Sequence, residues 1–336
     1  MKSLFAIPVL VFTLSAPHAV AANYHVTGKI VIGGEGGWDY LLADAEGRRV
    51  YVSHATKVVV ADLDSGKVVG EIADTQGVHG IAIASKLNRG FTSNGRSNDV
   101  TIFDLKTLAP IGRIKTGENP DCIIFEPQTG RVFTFNGKSH DSTVIDAASG
   151  KVLGTIPLAG KPEFATVDGK GHIWVNIEDT HQITEIDAAA MKAIHTFTLE
   201  GCEEPSGMAI DPKEMRLFSV CDNKVMVISD AKANKVITTV PIGEGADGVA
   251  FDPGTGLAFS SNGHDGTLTV VSTKGGKFTP TTVTTQAGAR TITIDTKTHK
   301  IYLPTADFAA PPAAAGQKAG RPRIVPGSFR LLIVSE

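Results

Sequence analysis

The chain has 336 residues, 42% of them hydrophobic and 20% charged, which suits a folded domain and not a disordered one. Its formal net charge is −3 at pH 7, from 35 acidic and 32 basic residues. That balance argues against a general nucleic-acid binder, which needs a dense basic face to neutralise phosphates.

Residues 1–21 read as a secretory signal peptide. Lys2 gives a positive start, Leu4 to Leu14 is an apolar run interrupted by Pro8, and Ala19-Val20-Ala21 is a small-x-small cleavage site. The run is too short to span a bilayer, and no other stretch is long and apolar enough to do so. The mature chain is therefore expected to start near Ala22, in the periplasm or outside the cell.

From there a unit of about 42 residues recurs seven times, beginning near Gly37, Gly77, Asn119, Lys161, Glu204, Gly245 and Ala287. One column fixes the register: Tyr51, Phe91, Phe133, Trp174, Phe218, Phe259 and Tyr302. The chain holds only 2 Trp, 4 Tyr and 15 Phe, so seven in one column is a pattern. Helix signals are nearly absent, and short strands alternate with Gly, Pro, Asp and Asn turns. A strand-rich unit of this period predicts an all-β fold, a seven-bladed β-propeller occupying residues 22–336 as one domain.

In the third unit, Cys122 to Phe125 reads as an inner strand, Arg131 to Asn136 as the second, Thr143 to Asp146 as the third and Lys151 to Leu158 as the outer strand. The last unit ends on a third strand, Leu331 to Glu336, with no fourth after it. Val26 to Gly34 matches the outer-strand segment Val152 to Gly160 position for position, so the N-terminal strand is expected to complete blade seven and close the ring. Blade seven also carries an Ala- and Pro-rich insertion, residues 306–328, whose basic residues are Lys318, Arg321 and Arg323. It reads as a lid over the channel mouth or as a partner-binding arm.

Several columns have structural explanations. The aromatic column is expected to pack between blades. Asp62, Asp104, Asp146 and Asp187 end third strands and are expected to bond their own following backbone. Asn94, Asn136 and Asn262 end second strands, where His54 stands in blade one, and read as loop-formers in left-handed backbone.

The meander places the starts of all inner strands on one face, here called the top. Asp39, His79, Asp121, Glu163, Ser206, Asp247 and Arg290 are expected to ring the channel mouth there. Four carboxylates so close need water, Arg290, His79 or a cation to offset them. The residues thus read as a solvated mouth, as a ligand-binding ring, or as a divalent-cation site on Asp121, Glu163 and Asp247, for which Ca²⁺ suits the carboxylates. His54, His140, His181 and His264 fall on the same face as secondary candidates, a blade or more apart and without a short metal-binding spacing. Of the three cysteines, Cys202 and Cys221 lie at the top of blade five and form a plausible disulfide in an oxidising compartment. Cys122 reads as a small buried hydrophobe, with a catalytic thiol as the alternative.

The unit resembles the YVTN-repeat (YncE-like) propellers of secreted bacterial proteins. The resemblance is carried by Pro205-Ser206-Gly207-Met208-Ala209-Ile210-Asp211-Pro212, Val50-Tyr51-Val52-Ser53-His54, Ser142-Thr143-Val144-Ile145-Asp146 and Val240-Pro241-Ile242-Gly243. It implies a binding platform with no single activity. The expected function is binding of a small ligand, a peptide or an envelope protein at the top face. The alternative is a metal-assisted hydrolase or lyase, lactonase-like, with Asp121, Glu163 and Asp247 holding a cation and His79 as general base or acid. A third reading is an accessory to a periplasmic redox system.

Overall fold

Every repeat folds into a four-stranded antiparallel meander, and seven such sheets make the ring. The structure is a computed structural model that describes residues 23–309 and 323–336. The expected signal peptide and the middle of the insertion, with Lys318 and Arg321, lie outside the described residues.

Blade three is representative: Pro120–Glu126, Arg131–Asn136, Asp141–Asp146 and Val152–Pro157, ordered from the axis outward. Its second and third strands are buried on both faces, because neighbouring blades cover each side, which is why they read as near-continuous apolar runs. The outer strand is buried at only one position. All seven residues of the aromatic column are at most 1% exposed. Each contributes about 2–3 kcal/mol of apolar burial at the contact between blades.

Blade seven is assembled from both ends of the chain. Thr293–Asp295, Lys300–Thr305 and Arg330–Ser335 are its inner, second and third strands. His25–Val31 pairs antiparallel with Arg330–Ser335 and forms its outer strand. The insertion begins and ends as a two-stranded ribbon in which Phe308 pairs with Ile324.

Acidic side chains tie off the turns on the face opposite the mouth. At the ends of inner strands, Glu126 accepts the amides of Gln128 and Thr129, Asp211 those of Lys213 and Glu214, and Asp252 that of Gly254. At the ends of third strands, Asp62, Asp104, Asp146 and Asp187 accept the amides of Ser65, Thr107, Ser149 and Ala190. Blade two has Ala84 at the inner-strand end and turns through a short 3₁₀ segment, Ser85–Leu87, instead.

The asparagine column does something other than expected. Asn94, Asn136 and Asn262 are fully buried strand residues, and none is left-handed. The Asn136 amide donates to Asp141 at 2.5 Å and to Thr143 at 3.0 Å, while its carbonyl accepts from Thr134 at 3.0 Å. Asn94 is bonded in the same way to Asp99, Thr101 and Thr92. The left-handed position is the last loop residue before the third strand, held by Asn98, His140, His181, Lys224 and Gly266, while the shorter loop of blade one has it at Ala55. An amide buried between two strands stabilises by bracketing them, so Asn is wanted here for its two-sided hydrogen bonding and not for its backbone.

Candidate functional site at the top of the channel

Inner strands begin at the mouth, and hydroxyls from second strands pin those beginnings. Ser53 accepts the amide of Asp39 at 2.8 Å, and Ser93 accepts that of Gly80 at 2.9 Å while donating to the carbonyl of Asp121. Thr291 donates to the carbonyl of Asp39 at 2.7 Å across the join between blades seven and one. The side chains of the ring therefore stand on backbone that is held blade to blade.

From Asp247 through Arg290, Asp39 and His79 to Asp121 the charges alternate. Arg290 bonds Asp247 on one side and lies 3.2 Å from Asp39 on the other. Asp39 Oδ2 lies 2.5 Å from His79 Nδ1, and His79 Nδ1 lies 3.5 Å from Asp121 Oδ1. Glu163 Oε2 lies 3.3 Å from the ammonium of Lys161, which also pairs with Glu178. Ser206 donates to the carbonyl of Ala246 at 3.2 Å and leaves the ring uncharged at that point. Gly95 packs against the far side of the imidazole, where a Cβ would come within 2.5 Å of His79 Nε2.

Burial and crowding shift the protons. Burial lowers the His79 pKa, but its hydrogen bond to Asp39 and the charges of Asp121, Asp39 and Glu163 outweigh it and raise it to about 9. Burial, with Asp121 nearby, lifts Glu163 to about 8 despite Lys161. Burial lifts Asp121 to about 6, against the pull of His79. These shifts favour the cationic form of His79 and the protonated form of Glu163. They favour acid and electrostatic roles for His79 over the general-base role.

The cation set expected on Asp121, Glu163 and Asp247 does not form. Among the described residues, the group whose ligand atoms all lie within 4.8 Å of one another is Asp39, His79 and Asp121. Asp247 is drawn to Arg290 and Glu163 to Lys161, so those two carboxylates turn away from a common point. Ca²⁺ prefers an all-oxygen shell, and the trio that does converge carries an imidazole nitrogen.

The four secondary histidines do not converge either. His54 is buried, stacks on Phe329 with ring centroids 4.6 Å apart, and has its Nδ1 3.3 Å from the carbonyl of Gly37. His140 and His181 are the left-handed turn residues named above, and His181 Nδ1 lies 2.9 Å from the carbonyl of Cys202. His264 is exposed, 3.8 Å from Glu244. Cys202 and Cys221 are disulfide-bonded with Cα atoms 5.5 Å apart, and Cys122 is a free, buried thiol whose pKa is raised by burial.

Two features had no sequence signal. Tyr40 and Phe164 follow ring residues on blades one and four, on opposite sides of the axis, yet their rings meet edge to face with centroids 4.9 Å apart. They meet across the channel beneath the ring. Burial raises the Tyr40 pKa well above its usual value, and the carboxylates of Asp121, Glu163 and Asp39 add to it. Lys161 was the other omission: it lies two residues before Glu163 and reads as a turn residue until the ring is seen.

Two cavities open at the mouth. One of about 600 Å³ is lined by Trp38, Asp39, His79, Arg96, Asn98, Glu118, Asn119, Lys138 and Arg290. The Trp38 Nε1 is buried without a hydrogen-bond partner, and its ring stacks on Phe329 with centroids 4.9 Å apart and tilts against Phe308 at 6.2 Å. The base of the insertion therefore stands beside this cavity. The second, of about 230 Å³, lies over Glu163, Glu178, Glu204, Asp247 and His264.

No protein-family profile and no curated protein matches the chain by sequence. Among solved structures the fold is similar to that of Kuenenia stuttgartiensis hydrazine synthase, at 16% identity and a TM-score of 0.72, over 83% of this chain and 95% of that one. At that identity the likeness shows the seven-bladed propeller and nothing finer. Among the described residues no helix is long and apolar enough to cross a membrane.

Proposed function

We propose that the protein is a non-catalytic binding propeller of the bacterial cell envelope, whose top mouth takes a small anionic ligand such as a carboxylate. The observation that carries this is the cavity of about 600 Å³, whose lining holds the basic side chains of Arg290, His79, Arg96 and Lys138 against the acidic ones of Asp39 and Glu118. Arg96 and Lys138 are exposed at its rim. A concave site with a few convergent polar groups is the usual form of a small-ligand site.

Export to the periplasm or the exterior is supported by the signal-peptide pattern of residues 1–21 and by the Cys202–Cys221 bridge, which persists in an oxidising compartment. Kinship with the YVTN-repeat propellers rests on the repeat columns. The hydrolase reading that used Asp121, Glu163 and Asp247 loses support, because Glu163 and Asp247 are drawn to Lys161 and Arg290 and do not converge with Asp121.

Thermal-shift screening of the purified mature chain against small mono- and dicarboxylates and inorganic phosphate tests the reading. A ligand at 100 times its Kd stabilises by about 2.7 kcal/mol, a shift of several degrees. The shift should shrink in Arg96→Ala and Lys138→Ala. If no anion at millimolar concentration moves the midpoint, the anion-binding reading fails.

A further inference from the structure

We infer that Asp39, His79 and Asp121 form a binding site for one divalent transition-metal ion of the Zn²⁺ type. This goes beyond the anion-binding reading and does not depend on it.

The other ionisable groups of the ring are drawn to partners outside this trio or to its outer edge. Arg290 holds Asp247 and the Oδ1 side of Asp39, and Lys161 holds Glu163 and Glu178. Three inner atoms are left facing each other: Asp39 Oδ2, His79 Nδ1 and Asp121 Oδ1. Asp121 is 9% exposed, and its Oδ1 is buried without a hydrogen bond. A buried carboxylate oxygen in that state costs free energy that a cation would remove.

The distances and donor types select the metal. Ligands about 2.0–2.2 Å from a tetrahedral zinc lie roughly 3.4 Å from one another. His79 and Asp121 already stand 3.5 Å apart. His79 and Asp39 stand 2.5 Å apart, a hydrogen-bond distance, and must separate by about 1 Å when the metal replaces the proton between them. The exchange balances: M²⁺ enters, the imidazolium releases the Nδ1 proton to solvent, and both carboxylates stay ionised. One nitrogen and two oxygens suit Zn²⁺ or Co²⁺ better than Ca²⁺, which prefers six to eight oxygens. Three protein ligands leave a fourth position open, and Asp39 and His79 both line the cavity of about 600 Å³.

The experiment is calorimetric titration of chelator-stripped mature protein with Zn²⁺, with Co²⁺ followed by its visible absorption. Expected are one saturable site per chain, Ca²⁺ binding at least tenfold weaker, and a tetrahedral-type Co²⁺ band in the wild type. His79→Ala and Asp121→Asn should each weaken Zn²⁺ at least tenfold. His172→Ala, which removes the imidazole of an unrelated His–Asp pair 3.0 Å apart on the opposite face, should not. Circular dichroism establishes that each variant folds; if His79→Ala does not, His79→Gln takes its place. Absence of a one-to-one site, equal affinity for Ca²⁺, or Zn²⁺ binding unmoved by both ligand variants overturns the proposal. Zinc binding without any anion binding would leave it standing while the reading above fell.

Discussion

Arg290 and Asp39 stand 251 positions apart in the chain and 3.2 Å apart in space, across the seam between the last blade and the first. The same guanidinium bonds Asp247 of blade six, so one side chain ties three blades at the mouth. Its fork geometry serves two carboxylates at once, which an ammonium does less well.

Replacing it tests that joint. Arg290→Met should cost about 1–3 kcal/mol, because two carboxylates lose their partner while partial exposure screens part of the loss. Urea unfolding should show a lower midpoint with an unchanged slope, and Arg290→Lys should recover less than half of the loss. An Arg290→Met protein as stable as wild type would show that the seam does not depend on this contact.

The ring should also set the pH dependence of stability, measured with chelator present so that no metal competes. His79 titrates at about 9 when folded against an ordinary 6.5, Glu163 at about 8 against 4.5, and Asp121 at about 6 against 3.8. All three are raised, so the folded chain holds more protons than the unfolded one from about pH 4 to pH 9. Stability is fully present at the acid end of that window and is lost as pH rises through it. Asp62, Asp104 and Asp146, whose carboxyls are held low by hydrogen bonds from Ser65, Thr107 and Ser149, act in the opposite sense only below about pH 4. Calorimetry should give a higher midpoint at pH 5.5 than at pH 8.5, with the difference reduced in Glu163→Gln. A flat or rising profile would contradict the proton placement.

Blade five offers a separate check. The Cys202–Cys221 bridge closes a loop with a sequence separation of 19, and removing it in a double Ala variant should cost about 2–4 kcal/mol. Thiol counting on denatured, unreduced wild type should find a single thiol, that of Cys122. Finding three would mean that the purified protein lacks the bridge.

The architecture was legible because it repeats. A column such as Phe91, Phe133 and Phe218 averages out local ambiguity, and the match of Val26–Gly34 to Val152–Gly160 pointed to a strand without a partner. The membership of the ring followed from register alone. Its pairings did not, since they depend on the radius of the mouth and on rotamers: Asp247 could as well have faced the axis as Arg290. Asn136 misled for a local reason, because Asn at a strand end suits a left-handed turn and a buried bracket equally. Tyr40 was hidden by its setting, as an aromatic on an inner strand reads as core unless the residue across the axis is known.

That Tyr40–Phe164 contact has a consequence for traffic. The two rings meet under the mouth and narrow the channel on the side of blades one to four. The apolar hollow of about 520 Å³, walled by residues such as Leu42, Ile83 and Phe125, has Tyr40 and Phe164 in its lining. The two rings therefore stand between that hollow and the charged mouth, and trimming either one should widen the passage between them.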